Sequence, residues 1–346
     1  MTTLLLLIGF GPAIANSNES RTSDRCSAGE TDPLAVGSGT LDDPWQICTA
    51  EQIEAMPGLS DEEHEDSYLL VEDLDLSDIE WTQGIGYCGL GWGQPEGGFS
   101  GTFDGGGHIL EGLSGPGLFN CVNGGEVYDL TVDGFRATST YIAHGAIVDI
   151  AYMASISDVH VWDSDVGGYG YTGGVVGWAR YSDFSRVSFQ GSVTGGSMIG
   201  GIAGYFIGST LEDSYAVGSM DGSWNVGGLI GVANGTVRPV VVERSHAAFT
   251  WSEDTLVGHY RVGLLVGMTW GDADQVLLGG TGGDELDALV GLSAHGLPKV
   301  GRGAYTGTLV RLERDLYLDP DTYERAGWDL DTVWNAPTDA RPPTLR

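Results

Sequence analysis

Residues 197–206, SMIGGIAGYF, admit two readings. A glycine pair, two apolar residues and a third glycine can cradle a phosphate, or can be one copy of a structural repeat. A phosphate cradle needs G-x-G-x-x-G between a strand and a helix, or G-x-x-x-x-G-K-[ST]. Neither surrounds the stretch, and the single lysine, Lys299, has no such loop around it. The repeat reading gains support from copies: GGVVGWA at Gly173, GGIAGYF at Gly200 and GGLIGVA at Gly227, 27 residues apart. A looser VGLLVGMT follows at Val262, and degenerate copies, GLFNCV at Gly117 and HGAIVDIA at His144, come before.

A second segment recurs in step: EVYDLTV at Glu126, SISDVHV at Ser155, DFSRVSF at Asp183, TLEDSYA at Thr210 and VVERSHA at Val241. Alignment places Val127, Ile156, Phe184, Leu211 and Val242 in one column. Leu130, Val159, Val187, Ser214 and Ser245 form a second, and Val132, Val161, Phe189, Ala216 and Ala247 a third. Alternation with polar positions at period two marks a strand with one buried face. Helical repeats need 34 or more residues and strong helix formers. The expected fold is therefore all-β, a parallel β-helix with coils of about 27 residues. Stacked coils also place Asp129, Asp158, Arg186, Asp213 and Arg244 in one ladder, whose last four members alternate in sign. Opposite charges on adjacent coils attract, which makes this a structural feature rather than a site.

These residues resemble the GLUG-motif repeat proteins, named for a Gly-Leu-any-Gly unit, to which GGLIG at Gly227 is close. The likeness extends to GSGTLDDPWQICTAEQI (37–53), FSGTFDGGGHILEGL (99–113), AGWDLDTVWN (326–335) and the closing PPTLR, and so covers residues 37–346. It implies a right-handed parallel β-helix with capped ends on an exported, cell-surface or adhesin-like protein. Such repeats also accompany immunoglobulin-cleaving metalloproteases, which carry H-E-x-x-H. Here the nearest string, HEDSY from His64, has Tyr68 where the second histidine would stand, so no protease activity carries over.

The composition fits export. Forty-eight acidic residues against 15 basic ones give a net charge of -33, which sets aside nucleic acid and anionic lipid as partners. It suits solubility in high salt, where self-repulsion is screened. Disorder is set aside by 41% hydrophobic and 10% aromatic residues. The 57 glycines point to turns between short strands. The apolar run Leu4–Phe10 and the small-x-small Ala13-Ile14-Ala15 read as a secretory signal peptide over residues 1–15, without a basic start. A cap segment (16–66) and the β-helix with its terminal segment (67–346) follow, with no membrane span. The four cysteines suggest two disulfides, of three possible connectivities; Cys26–Cys48 and Cys88–Cys121 join neighbours. No pair has the C-x₂₋₄-C spacing of a zinc site.

Candidate chemistry is sparse. GGTGGDELD (279–287) matches one calcium nonapeptide, so Asp284 and Asp287 are Ca²⁺ candidates, set against an acidic loop inserted between Trp270 and Gly303. A lone copy supplies only half the oxygen ligands. Asp163 and Asp165 are close enough to share a groove, as a sugar-cleaving enzyme would need, but acids are so numerous that a solvated turn explains them better. His160 and His246 fall in an outward column, and no nucleophile motif appears. Aromatic residues give the better binding signal. Trp178 and Tyr205 both follow a third glycine and share a column, with Tyr169, Tyr171, Tyr181, Phe206 and Trp224 at nearby turns. Exposed, Trp178, Tyr205 and Trp224 would stack on sugar rings; covered, they would seal the core. The expected function is non-catalytic: an exported or cell-surface, adhesin-like or glycan-binding module, requiring no catalytic cofactor. Its partners would be glycans or surface and matrix proteins, with self-association open. A carbohydrate-active enzyme and a structural spacer or envelope component are the alternatives.

Overall fold

The computed structural model describes residues 30–89, 95–251 and 260–271, and the shorter stretches 276–278, 289–292, 300–302, 309–312, 320, 323, 328–336 and 343–345. The chain is a parallel β-helix. Each coil contributes a long run to one sheet and a short strand to a second. The short strands are Phe119–Asn123, Val148–Tyr152, Val176–Arg180, Ala203–Ile207, Ile230–Asn234, Val266–Trp270 and Val300–Arg302, stacked in that order. Their registers, Val148↔Val176, Val176↔Ala203 and Ala203↔Ile230, repeat every 27 or 28 residues. The next step, Ile230↔Val266, takes 36 because its coil carries extra residues.

The period-two columns are the core. Val127, Ile156, Leu211 and Val242 are fully buried, as are Val132, Val161, Phe189, Ala216 and Ala247, while Phe184 is 1% exposed. Each fully buried Val, Leu, Ile or Phe among them stabilises the fold by roughly 1.5–3 kcal/mol. The second column ends in buried serines whose hydroxyls satisfy the backbone at the bend. Ser214 Oγ donates to Glu212 O at 2.6 Å and accepts from Val187 N at 3.2 Å, and Ser245 repeats the pattern. The polar residues in this apolar column are therefore paired.

The charge ladder forms at a fixed bend. Asp129, Asp158, Arg186, Asp213 and Arg244 all have left-handed φ, between 40° and 54°. For a side chain other than glycine this costs roughly 1–2 kcal/mol. The bidentate forks help to offset it: Arg186 grips Asp158 at 2.5 Å through both nitrogens, and Arg244 grips Asp213 at 2.8 and 3.0 Å. At the other end of the ladder, burial raises the pKa of Asp129, as do the charges of Asp104 and Asp158.

Both ends of the described chain pack onto the solenoid. Trp45–Ile47 joins the ladder beside Ser67–Leu70, and the short helix Ala50–Ala55, closed by a Thr49–Gln52 capping box, buries Ile53, as the turn after it buries Met56. Near the C-terminus, Trp334–Asn335 pairs antiparallel with Thr344–Leu345, and Trp328 and Trp334 lie against Tyr215 and His246 on the outer side of the long sheet. The outward column expected for His246 is the observed one. Its register is outward, beside Tyr215, but the terminal segment covers it and its exposure is 0%.

Candidate functional site

The outer face of the short sheet carries the site. On each short strand the inward residue is small or apolar (Ala179, Phe206, Ala233), and its neighbour one place earlier points outward (Trp178, Tyr205, Val232). The third glycine of each repeat precedes that outward residue. At Gly204 a Cβ would stand 2.4 Å from Thr172 N, and at Gly231 2.5 Å from Met198 C. Neither glycine has a left-handed φ. Space is what the repeat requires there, because the adjacent backbone passes too close for any side chain.

Trp178 and Tyr205 are register partners, their rings stacked at 6.3 Å with 19° between planes. Tyr171 adds a third ring, 5.2 Å from Tyr205 and 6.0 Å from Trp178. Together with Arg180, Asn234 and Tyr181 they line a pocket of about 370 Å³. Asn234 Nδ2 donates to the Tyr205 hydroxyl at 2.7 Å. Burial raises the pKa of Tyr205 and of Tyr171, so both phenols stay protonated at neutral pH. Arg180 lies 4.8 Å above the Tyr181 ring and Arg238 lies 4.6 Å from it, within cation–π range. Trp178 is half-buried, and its Nε1 is a buried donor without a hydrogen-bond partner among the described residues. Such a group costs roughly 1–3 kcal/mol until something accepts from it.

A second pocket, about 260 Å³, adjoins the first and shares Ile142 with it. Asp149, Asn120, Gln83, Tyr87 and Tyr141 line it, as does Cys88. Asp149 occupies the column that Gly177, Gly204 and Gly231 fill in later coils. Its Oδ1 lies 3.1 Å from His144 Nδ1, and both side chains are almost wholly buried. Asp149 Oδ2 and His144 Nε2 have no hydrogen-bond partner among the described residues.

The expected residues are thus partly brought together. Trp178 and Tyr205 form one wall, with Tyr171 beside them. Tyr205 is only 9% exposed, so it serves as wall rather than platform. Trp224 stands apart: it is 48% exposed on the long sheet, in register with Ser197 and Tyr260. Phe206 is core, against Phe184 at 5.6 Å. Asp163 and Asp165 form no groove, for both are exposed and bind Arg136 at 3.2 and 2.9 Å. His160 accepts or donates to Ser188 Oγ at 2.9 Å, and burial lowers its pKa. Cys88 and Cys121 form a disulfide, Cα to Cα 5.7 Å. Cys48 is also disulfide-bonded, while Cys26 lies outside the described residues. Asp284, Asp287 and the signal segment 1–15 lie outside them too. Sequence reading missed Arg180, Asn234 and the His144–Asp149 pair. The pair had a visible signal, since HGAIVDIA carries an acid where the three following copies carry glycine.

No family model matches the chain. No curated protein matches it either. Among solved structures, a candidate immunoglobulin A1 protease from Bacteroides ovatus is similar, with a TM-score of 0.61 at 18% identity. The match covers 90% of this chain and 94% of that one. At this identity the likeness is one of fold alone. Among the described residues, no helix is long and apolar enough to cross a membrane.

Proposed function

We propose that this chain is an exported, non-catalytic interaction protein of the GLUG type whose short-sheet face binds glycan. The observation that carries the reading is the pocket walled by Trp178, Tyr205 and Tyr171, with Arg180 and Asn234 at its margin. Flat apolar rings beside a few polar groups suit a sugar, which has apolar faces and hydroxyl edges. The Cys88–Cys121 disulfide supports export, since such bonds persist in oxidising compartments. The net charge of -33 favours a neutral glycan over a polyanionic one. Sugar hydrolysis would use two facing carboxylates, whereas Asp149 is the one carboxylate among the described residues lining the two pockets. A glycan array on the purified protein, followed by titration of the best binder, tests the proposal. Trp178→Ala and Tyr171→Ala should each weaken that binder about tenfold or more, equivalent to about 1.4 kcal/mol. Binding that survives both substitutions, or an array with no signal above background, refutes it.

A further inference from the structure

We infer that the pocket walled by Trp178 and Tyr205 takes a sugar bearing a carboxylate, with Arg180 and Arg238 receiving that group at its rim. This rests on the glycan reading and deepens it to the class of sugar. Three arginines of the solenoid are gripped by acids: Arg136 by Asp163 and Asp165, Arg186 by Asp158, and Arg244 by Glu212, Asp213 and Glu243. Arg180 and Arg238 are placed differently. Their guanidinia lie 4.8 and 4.6 Å from the ring of one tyrosine, Tyr181, and Arg180 also lies 5.5 Å from that of Tyr152. Gly208 makes the room in which Arg238 and Tyr181 meet, for a Cβ there would stand 2.8 Å from Arg238 Cβ and 2.9 Å from Tyr181 Cδ1. Two like charges gathered around one ring, in a chain with 48 acids, make a local field opposite in sign to that of the molecule.

The pocket lies within that field. Arg180 is part of its wall, and no carboxylate among the described residues lines it. Both arginines reach solvent, Arg180 half-buried and Arg238 exposed. A cation–π contact uses the charge of a guanidinium and not its five donors, whose fork matches the two oxygens of a carboxylate. Trp178 and Arg180 both point outward from one short strand, two residues and so about 6.6 Å apart along it. A pyranose ring on the aromatic wall, its exocyclic carboxylate and one hydrogen bond together span that distance. The net charge of -33 disfavours a run of anions. At physiological ionic strength, however, charges more than about 8 Å away are largely screened, so two guanidinia in contact outweigh distant acids. One carboxylate on an otherwise neutral glycan meets both conditions.

The test uses the full chain and two matched pairs, cellobiose with cellobiouronic acid and lactose with 3′-sialyllactose. They are titrated by calorimetry, beside an array of neutral, carboxylated and sulfated glycans. Where the array's best binder carries a carboxylate, that glycan and its carboxyl-reduced form make a third pair. For at least one pair the acidic member should bind about tenfold more tightly than the neutral one. Its affinity should fall as NaCl rises from about 0.05 to about 0.5 M. Arg238→Gln, on an exposed side chain, should cut the preference for the acidic member about fivefold, and Arg180→Gln at least as much. Should Arg180→Gln fail to fold, Arg238→Gln decides. Equal affinities within every pair, a best binder that is neutral or sulfated, a preference that grows with salt, or one that Arg238→Gln leaves intact overturns the carboxylate and leaves the glycan reading standing. Acetyl-diglutamate displacing 3′-sialyllactose at equal concentration would make the rim a reader of acidic peptide and overturn the sugar. No binding of any probe, together with a blank array, overturns both readings.

Discussion

At single positions, the repeat is decided by how little room lies between coils. A Cβ on Gly201 would come within 2.3 Å of Gly228 O, and one on Gly204 within 2.4 Å of Thr172 N. Both contacts are to backbone, which cannot swing aside as a flexible side chain could. Gly204→Ala should therefore lower stability by roughly 1–3 kcal/mol, the usual cost of overpacking. A Cβ on Gly58 would meet nothing within 4 Å, and its φ is not left-handed, so Gly58→Ala should be neutral or slightly stabilising. Urea midpoints of the two variants check the contrast, and equal shifts would show that space between coils is not what selects glycine. The glycine columns were legible from spacing alone. Which of their neighbours would close a pocket was not, because Asn234 reaches Tyr205 from the next coil, 29 residues on.

The terminal segment is the element with the clearest conditional behaviour. Nε2–H of His246 donates to Pro343 O at 2.9 Å, and its ring stacks on Tyr215 at 5.2 Å. Burial pulls its pKa down to about 4, against a partial upward pull from the Pro343 carbonyl. In the unfolded chain the group titrates near 6.5. Between these values the unfolded or detached form binds a proton that the packed form refuses, so stability falls as pH drops from about 6.5 toward 4. The loss reaches about 3 kcal/mol at full protonation. The Trp328 and Trp334 segment should loosen in that window, visible as a change in tryptophan fluorescence and in hydrogen exchange near Thr344. His246→Gln, which keeps a donor but no titration, should flatten the profile. A profile unchanged by that substitution would assign the acid response to other groups. The sequence placed His246 in an outward column correctly, but the cover arrives from about a hundred residues away, and no local pattern announces it.

Over the molecule as a whole, charge is the dominant fact. A net charge of -33 is partly neutralised by pairs such as Arg186–Asp158 and Arg244–Asp213, yet among the described residues acids with no basic partner outnumber those held in such pairs. Raising salt to about 1 M shortens the screening length to about 3 Å, which should relieve the repulsion more than it weakens the few ion pairs. The melting temperature should rise across that range in thermal unfolding followed by circular dichroism. A melting temperature that falls with salt would mean the ion-pair ladder outweighs the repulsion.

What the sequence determined by itself was the coil: its length, its three buried columns, its charge ladder and the pairing of Trp178 with Tyr205. These are properties of stacking at a fixed period, so equivalent positions are neighbours whatever the rest of the chain does. The tertiary structure alone decided which outward residues stay open. Tyr205 is walled in by Tyr171 and Asn234, Trp224 stands on the other sheet, and His246 lies under the terminal segment. Asp149 falls between the two cases. Its break in the glycine column was written in the sequence, but the unmatched oxygen beside a pocket exists only once His144 and Gly117 have folded around it. Period sets who stacks on whom; cover depends on loops and ends whose reach no repeat encodes.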